Sequence, residues 1–351
     1  MRYLPFTHAS HFLRERDFGQ KIEASFDFVK AHFRPLGKAL LYIVVPTALA
    51  IGLLSGILAL EWIDNLKTLQ GSTVDKSNPW PGITTLFSGM FLSPAYLSIV
   101  LGGLVLFTML SLTVYGYLTL RLETAPEKQV TVSDVWRLVR QRFLGTMLAL
   151  LGLGILMVVG FAALSMIVGL LSALLMAGSG GNSMIIGFTA ALVSTLLFGA
   201  VAYISVTLSL FLVIWVRERL GFFPSIGRSF RLIWGKWWST FGLMIVMTII
   251  CAVILIGVML LATLISYLLS LVTSLGGVGG NERIGLVIGT ALQSLISLAI
   301  YPLLFVALAF QYFNLVERKD GESLHLLVDA IGQSAPETVP QALRPDDEGE
   351  Y

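Results

Sequence analysis

Five stretches of this chain, 39–60, 77–120, 143–216, 237–281 and 284–316, contain no charged residue. A helix needs roughly 20 apolar residues to cross the hydrocarbon core of a bilayer, and every backbone group inside that core has to be bonded internally. Runs of this length therefore point to membrane helices. Composition agrees, with 56% hydrophobic and only 13% charged residues, where soluble domains carry about 25% charged. The 74-residue run at 143–216 and the 45-residue run at 237–281 are too long for one passage. "AGSGGN" (177–182) divides the first and "LGGVGGN" (275–281) ends the second, because glycine and asparagine favour turns over helix. The sequence predicts an all-α integral membrane protein with six transmembrane helices, near 39–60, 92–120, 144–176, 183–216, 238–273 and 284–316.

Six passages put 1–38, 121–142, 217–236 and 317–351 on one side, with 20 Lys or Arg, against Lys67, Lys76 and Arg283 on the other. The formal charge of +2 conceals this split, because acids such as Asp346, Asp347, Glu348 and Glu350 gather in the tail. Basic residues are retained on the cytoplasmic side, so both termini are expected in the cytoplasm. The single cysteine, Cys251, falls within the fifth passage and reads as a small apolar side chain.

The segments before the first, third and fifth passages align as "IEASFDFVKAHF" (22–33), "VSDVWRLVRQRF" (132–143) and "IGRSFRLIWGKW" (226–237). Apolar positions coincide: Ile22, Phe26, Val29 and Phe33, then Val132, Trp136, Val139 and Phe143, then Ile226, Phe230, Ile233 and Trp237. The 4, 3, 4 spacing puts each set in one helical stripe. Basic residues occupy other positions, among them Lys30, Arg34, Arg137, Arg140, Arg142, Arg228, Arg231 and Lys236. Asp17 with Gln20, and Thr131 with Asp134, are spaced as helix-starting caps, and Pro224 suits a first helical turn. The unit is an amphipathic interfacial helix followed by a membrane hairpin. Residues 1–20 form a cytoplasmic tail, 21–120, 121–216 and 217–316 are the three repeats, and 317–351 is a cytoplasmic segment with a short amphipathic helix, "SLHLLVDAIG" (323–332), and an acidic tail.

An apolar stripe bordered by Lys, Arg and Trp suits the headgroup boundary of an anionic membrane. The same stripes could dock a partner or line a ligand site, and Trp234 and Trp238 are peculiar to the third copy. Expected partners are anionic lipid headgroups, with other membrane proteins or a second copy of this chain. Nucleic acid is not expected, because the stripe segregates aromatic from basic residues and each patch joins a span.

Pumps and coupled transporters keep ionisable groups within the bilayer, and these passages hold no Asp, Glu, Lys, Arg or His. Their polar residues, including Thr108, Ser111, Thr113, Tyr115, Tyr117, Thr207, Gln293, Ser294, Gln311 and Asn314, are read as bonding within or between helices. Pro46 and Pro302 predict kinks. Gly52-x-x-x-Gly56 and Gly285-x-x-x-Gly289 predict close approach of the first and sixth helices to others. His8 and His11 are read as part of a solvated tail, and the glycine strings as turns. No catalytic constellation and no cofactor or metal site is expected.

The segment "IGRSFRLIWGKWWSTFGLMIV" (226–246) resembles a widespread, uncharacterised group of prokaryotic six-helix membrane proteins, which includes the membrane domain attached to some glycerophosphodiester phosphodiesterases. Arg228, Ser229, Phe230, Leu232, Gly235, Trp237 and Trp238 carry the match. The start, "RERDFGQKIEASFDFVKAHFRPL" (14–36), further resembles conserved membrane proteins of Bacteroidota. The resemblance implies the six-helix fold but no phosphodiesterase activity. The expected function is a noncatalytic scaffold or subunit of a membrane assembly, and the second reading is a carrier or channel for neutral or lipid-like molecules.

Overall fold

A computed structural model describes residues 6–71, 94–125, 127–178, 183–275 and 282–322. The expected hairpin tips at 178–182 and 277–281, most of the segment 61–91, the helix at 323–332 and the acidic tail lie wholly or largely outside the described residues. Among the described residues ten α-helices occur and no strand: α1 (Phe18–Ala31), α2 (Phe33–Ile43), α3 (Val45–Gly71), α4 (Pro94–Glu123), α5 (Val132–Gly178), α6 (Ser183–Leu208), α7 (Phe211–Arg217), α8 (Phe222–Ile233), α9 (Trp237–Leu275) and α10 (Glu282–Asp320). Five helical segments are long and apolar enough to cross a membrane, with α6 and α7 forming one of them; α2 and α3 pass the same test as a pair bent by 50°. The chain is an all-helical, multi-pass membrane protein.

Local chemistry explains the breaks. Asp17 and Gln20 close a capping box at the start of α1, and Thr131 exchanges hydrogen bonds with Asp134 at the start of α5. The α2–α3 bend falls at Val44, so Pro46 occupies the first turn of α3, where its missing N–H costs nothing. Pro302, in contrast, sits inside a continuous α10. Between α8 and α9, Trp234 is extended and Gly235 takes a φ of +79°, a left-handed conformation that favours glycine. His32 separates α1 from α2. The second copy differs from the expected pattern. Its amphipathic segment runs straight into the following span as one 47-residue helix, α5, because 132–145 offers neither proline nor a left-handed glycine. At 1.5 Å per residue this helix is about 70 Å long, more than twice the hydrocarbon thickness.

Helix α10 occupies the centre and packs against α1, α3, α4, α7, α8 and α9. Its closest neighbour is α3, and the cause is the expected glycine pair. A Cβ on Gly52 would stand 2.7 Å from Ala291 Cα, and one on Gly56 would stand 2.8 Å from Val287 Cα. Thr290 Oγ1 donates to the Gly52 carbonyl at 3.2 Å across this contact. Gly289 meets nothing within 4 Å and takes no part. Polar side chains in the spans bond locally, as read from sequence: Thr108, Thr113 and Thr207 each donate to the carbonyl one turn earlier, and Gln311 donates to Thr240 Oγ1 at 2.8 Å.

The N-terminal segment requires a correction. Residues 6–17 were expected to belong to a solvated tail, yet Phe6, Phe12 and Leu13 are buried in the main core. The rings of Phe6 and Phe12 pack on Phe28 and Phe310 at centroid distances of 5.4–6.2 Å. Burying Phe6, Phe12 and Leu13 offsets part of the entropy lost in ordering the segment, and the bond from the Arg16 N–H to Asn314 Oδ1 adds to it. His8 and His11 meet edge to face at 5.3 Å.

Gly56→Leu should destabilise the protein by about 1–3 kcal/mol through overpacking against the α10 backbone, whereas Gly289→Ala, inside α10 with open space around it, should not destabilise and gains up to about 1 kcal/mol of helix propensity. Thermal unfolding in one detergent checks both; equal effects would show that α3 and α10 do not meet at Gly56.

Candidate membrane-interface site

In each copy most of the stripe read from sequence borders the buried face, and Val139 and Ile233 enter it. On α1 the buried residues are Lys21, Ala24, Ser25 and Phe28, and on α8 they are Ser225, Ser229, Leu232 and Ile233. At the start of α5 Val135 and Val139 are buried. In the alignment Ser25, Val135 and Ser229 occupy one equivalent position, and each is 0% exposed. The shared aromatic follows directly, and it flanks the core rather than entering it: Phe26 and Trp136 are 40% and 44% exposed, and Phe230 is half-buried. Ile22, Val29, Val132, Phe143, Ile226 and Trp237 are partly buried against the core, and Phe33 is exposed. Buried Ser25 and Ser229 mask the true inward face, because each satisfies its hydroxyl on a backbone carbonyl, Lys21 and Thr207 respectively.

Trp237 stacks on Tyr203 and on Phe241, and its indole N–H donates to the Tyr203 carbonyl at 3.3 Å. Trp234 and Trp238 are largely exposed on either side. Below them Ile226 and Phe230 join Phe161 of α5 and Ile204 of α6 around an apolar crevice of about 520 Å³.

The basic residues of this copy do different work from one another. Arg228 is paired with Glu218 at 3.1 Å and also with Asp320. Glu218 accepts from Tyr312 Oη at 2.8 Å. Arg217 pairs with Glu322 at 2.6 Å and lies over the rings of Tyr312 and Phe313. Lys319 donates to the carbonyls of Arg231 and Trp234, neutralising the exposed C-terminal end of α8. Arg228 is thus an internal tie between α8 and the end of α10, while Arg231 and Lys236 remain exposed. Glu218, Tyr312, Lys319, Asp320 and Glu322 were invisible as a group, since they come from segments about 90 or more residues apart and only the charged string at 217–219 hinted at them.

No family model, curated protein or solved structure matches the chain. Among the described residues no group of three or more His, Cys, Asp and Glu side chains is placed to hold a metal ion.

Lys21 is a buried cation on the interface layer. Its ammonium donates to Ser239 Oγ at 3.2 Å, linking α1 to α9. Burial pulls its pKa down to about 8, helped by the charges of Arg318 and Lys236 and opposed by Asp17. Because the folded-state value lies below the ordinary one, the unfolded chain holds more protons between pH about 8 and about 10.5, and stability gains with rising pH across that window. Relative to Lys21→Met, the parent should therefore become more stable as pH rises from 8 to 10.5. Parallel melting curves for the two proteins would contradict this placement of Lys21.

Proposed function

We propose that this protein is a noncatalytic scaffold or subunit of a membrane assembly, with its amphipathic segments at the lipid–water boundary of a prokaryotic inner membrane. The observation that carries this reading is the uneven burial of its spans. Within the chain only 6% of the most apolar window of α5 and 17% of that of α9 are buried, against 50% for α10. Helices that leave so much apolar surface uncovered need lipid or other protein against them.

The three amphipathic segments support a common role, since each buries the same aligned position and turns its aromatic to the flank. We read 21–120, 121–216 and 217–316 as three repeats, each an interfacial segment with a hairpin, and α2 with α3 as the first of six passages. The 20 Lys and Arg of 1–38, 121–142, 217–236 and 317–351, against three on the other side, support a cytoplasmic position for these segments and both termini. The likeness of 226–246 to six-helix prokaryotic membrane proteins is in keeping with this arrangement. The apolar crevice beside Phe230 favours a second reading, a carrier for neutral or lipid-like molecules, because its lining has almost no polar surface.

Mild solubilisation followed by native mass spectrometry separates the two. The subunit reading expects a stoichiometric partner or a homo-oligomer, and Phe230→Asp or Trp237→Asp should loosen it. A monomer that moves neutral or lipid-like molecules across liposomes unaided would overturn that reading in favour of the carrier.

A further inference from the structure

The α1–α2 elbow, the C-terminal turns of α4 and the start of α5 line an open cavity of about 970 Å³. Five cationic side chains line it, Lys30, Arg34, Lys38, Arg121 and Lys128, against one carboxylate, Glu127. Lys30 lies in the last turn of α1, and Arg34 and Lys38, four residues apart, share one face of α2. Among the described residues none of these three, nor Lys128, forms an ion pair. Arg121 is 4% exposed, and its guanidinium is fixed by the carbonyls of Lys128, at 2.7 Å, and Thr7, at 3.3 Å. His32 is buried beside it, stacked on Phe28. The ordering of Arg121 by backbone carbonyls, rather than by solvent, gives the cavity a positive floor that does not move away.

Lys30, Arg34, Lys38 and Lys128 are exposed around the buried Arg121, and like charges gathered around one cavity repel. Such a cluster is relieved by a bound anion, and a phosphate group offers several acceptor oxygens to Lys and Arg together. The rim adds a direction. Phe33 is 70% exposed and belongs to the cavity lining together with Pro35 and Val132, so a ligand whose charged end meets the lysines can lay an apolar part against these residues. Helix α2 also forms the first half of the bent apolar pair, which brings the cavity to the level where a span enters the bilayer.

We propose that this cavity binds a phosphate-bearing anion, supplied by the headgroup of an anionic phospholipid in the adjoining leaflet. The proposal rests on the interfacial reading above and adds to it one defined site with one ligand chemistry. Diffuse attraction would distribute over every exposed basic residue; here it is concentrated on Lys30, Arg34 and Lys38, with Arg121 and Lys128 behind them.

The test uses the full chain in nanodiscs of phosphatidylcholine with and without phosphatidylglycerol, and in detergent with glycerol phosphate as a soluble probe. The variant Lys30→Gln/Arg34→Gln/Lys38→Gln removes the edge of the site. Arg137→Gln/Arg140→Gln/Arg231→Gln removes exposed charge elsewhere. Retention of phosphatidylglycerol by the parent, weakened on the order of a hundredfold in the first variant and changed little in the second, is the expected result. Binding of glycerol phosphate but not phosphatidylglycerol, lost in the first variant, upholds the phosphate site and overturns the lipid source. Equal weakening in both variants overturns the cavity while leaving the interfacial reading intact, and no difference between parent and first variant overturns the site itself. Should the triple variant not assemble, Lys38→Gln and a salt titration of the parent give the same readout, since a charge-held headgroup is released as salt rises. The oligomeric state of the parent, measured in the same samples, reports separately on the assembly reading.

Discussion

The interaction on which the rest of the structure depends joins the N-terminal segment to the end of α10. The Arg16 backbone N–H donates to Asn314 Oδ1 at 2.8 Å, and its guanidinium lies 5.0 Å over the ring of Phe310 while bonding to the carbonyls of His11 and Phe12. Arg16 is 3% exposed; burial, with Arg14 nearby, draws its pKa down to about 10, so it still carries its charge at neutral pH. A buried cation without polar partners would be costly. Here carbonyls and an aromatic face supply what solvent would have supplied, and the arrangement locks Phe6, Phe12 and Phe28 around α10.

The distribution of polar contacts follows from where charge is tolerated. The long apolar runs exclude ionised groups, so the ion pairs of Arg217, Arg228, Glu218, Asp320 and Glu322 all form at one end of the bundle. Away from that end the helices α5 and α9 run on with little cover from their own chain. The molecule is therefore tied at its basic end and open along its spans, which fits a part that is finished by lipid or by other protein. The cavity bounded by Lys30, Arg34 and Lys38 lies within the tied region, where positions are fixed by the core.

Much of this was legible in the residues. Charge-free runs set the helices, the Asp17–Gln20 and Thr131–Asp134 spacings marked two starts, and Gly52 with Gly56 marked a close approach by α3 without naming α10 as its partner. What escaped has physical reasons. Phe6, Phe12 and Leu13 follow no helical period, so their burial leaves no pattern to read. The inward faces of α1 and α8 contain Lys21, Ser25, Ser225 and Ser229, polar residues that a hydrophobic stripe excludes. The continuity of α5 depended on the absence of a breaking residue, which the alignment of apolar positions does not register. Long-range pairs such as Arg228 with Asp320 join charges that look independent along the chain.

The central claim, that the basic end is the stabilising core, is tested most directly by thermal unfolding of alanine variants in a single detergent. Phe12→Ala and Phe310→Ala remove rings that are 0% exposed and should each cost about 3–5 kcal/mol, while Leu170→Ala and Leu264→Ala, on exposed stretches of α5 and α9, should cost less than about 1 kcal/mol. Comparable losses at all four positions would contradict the account.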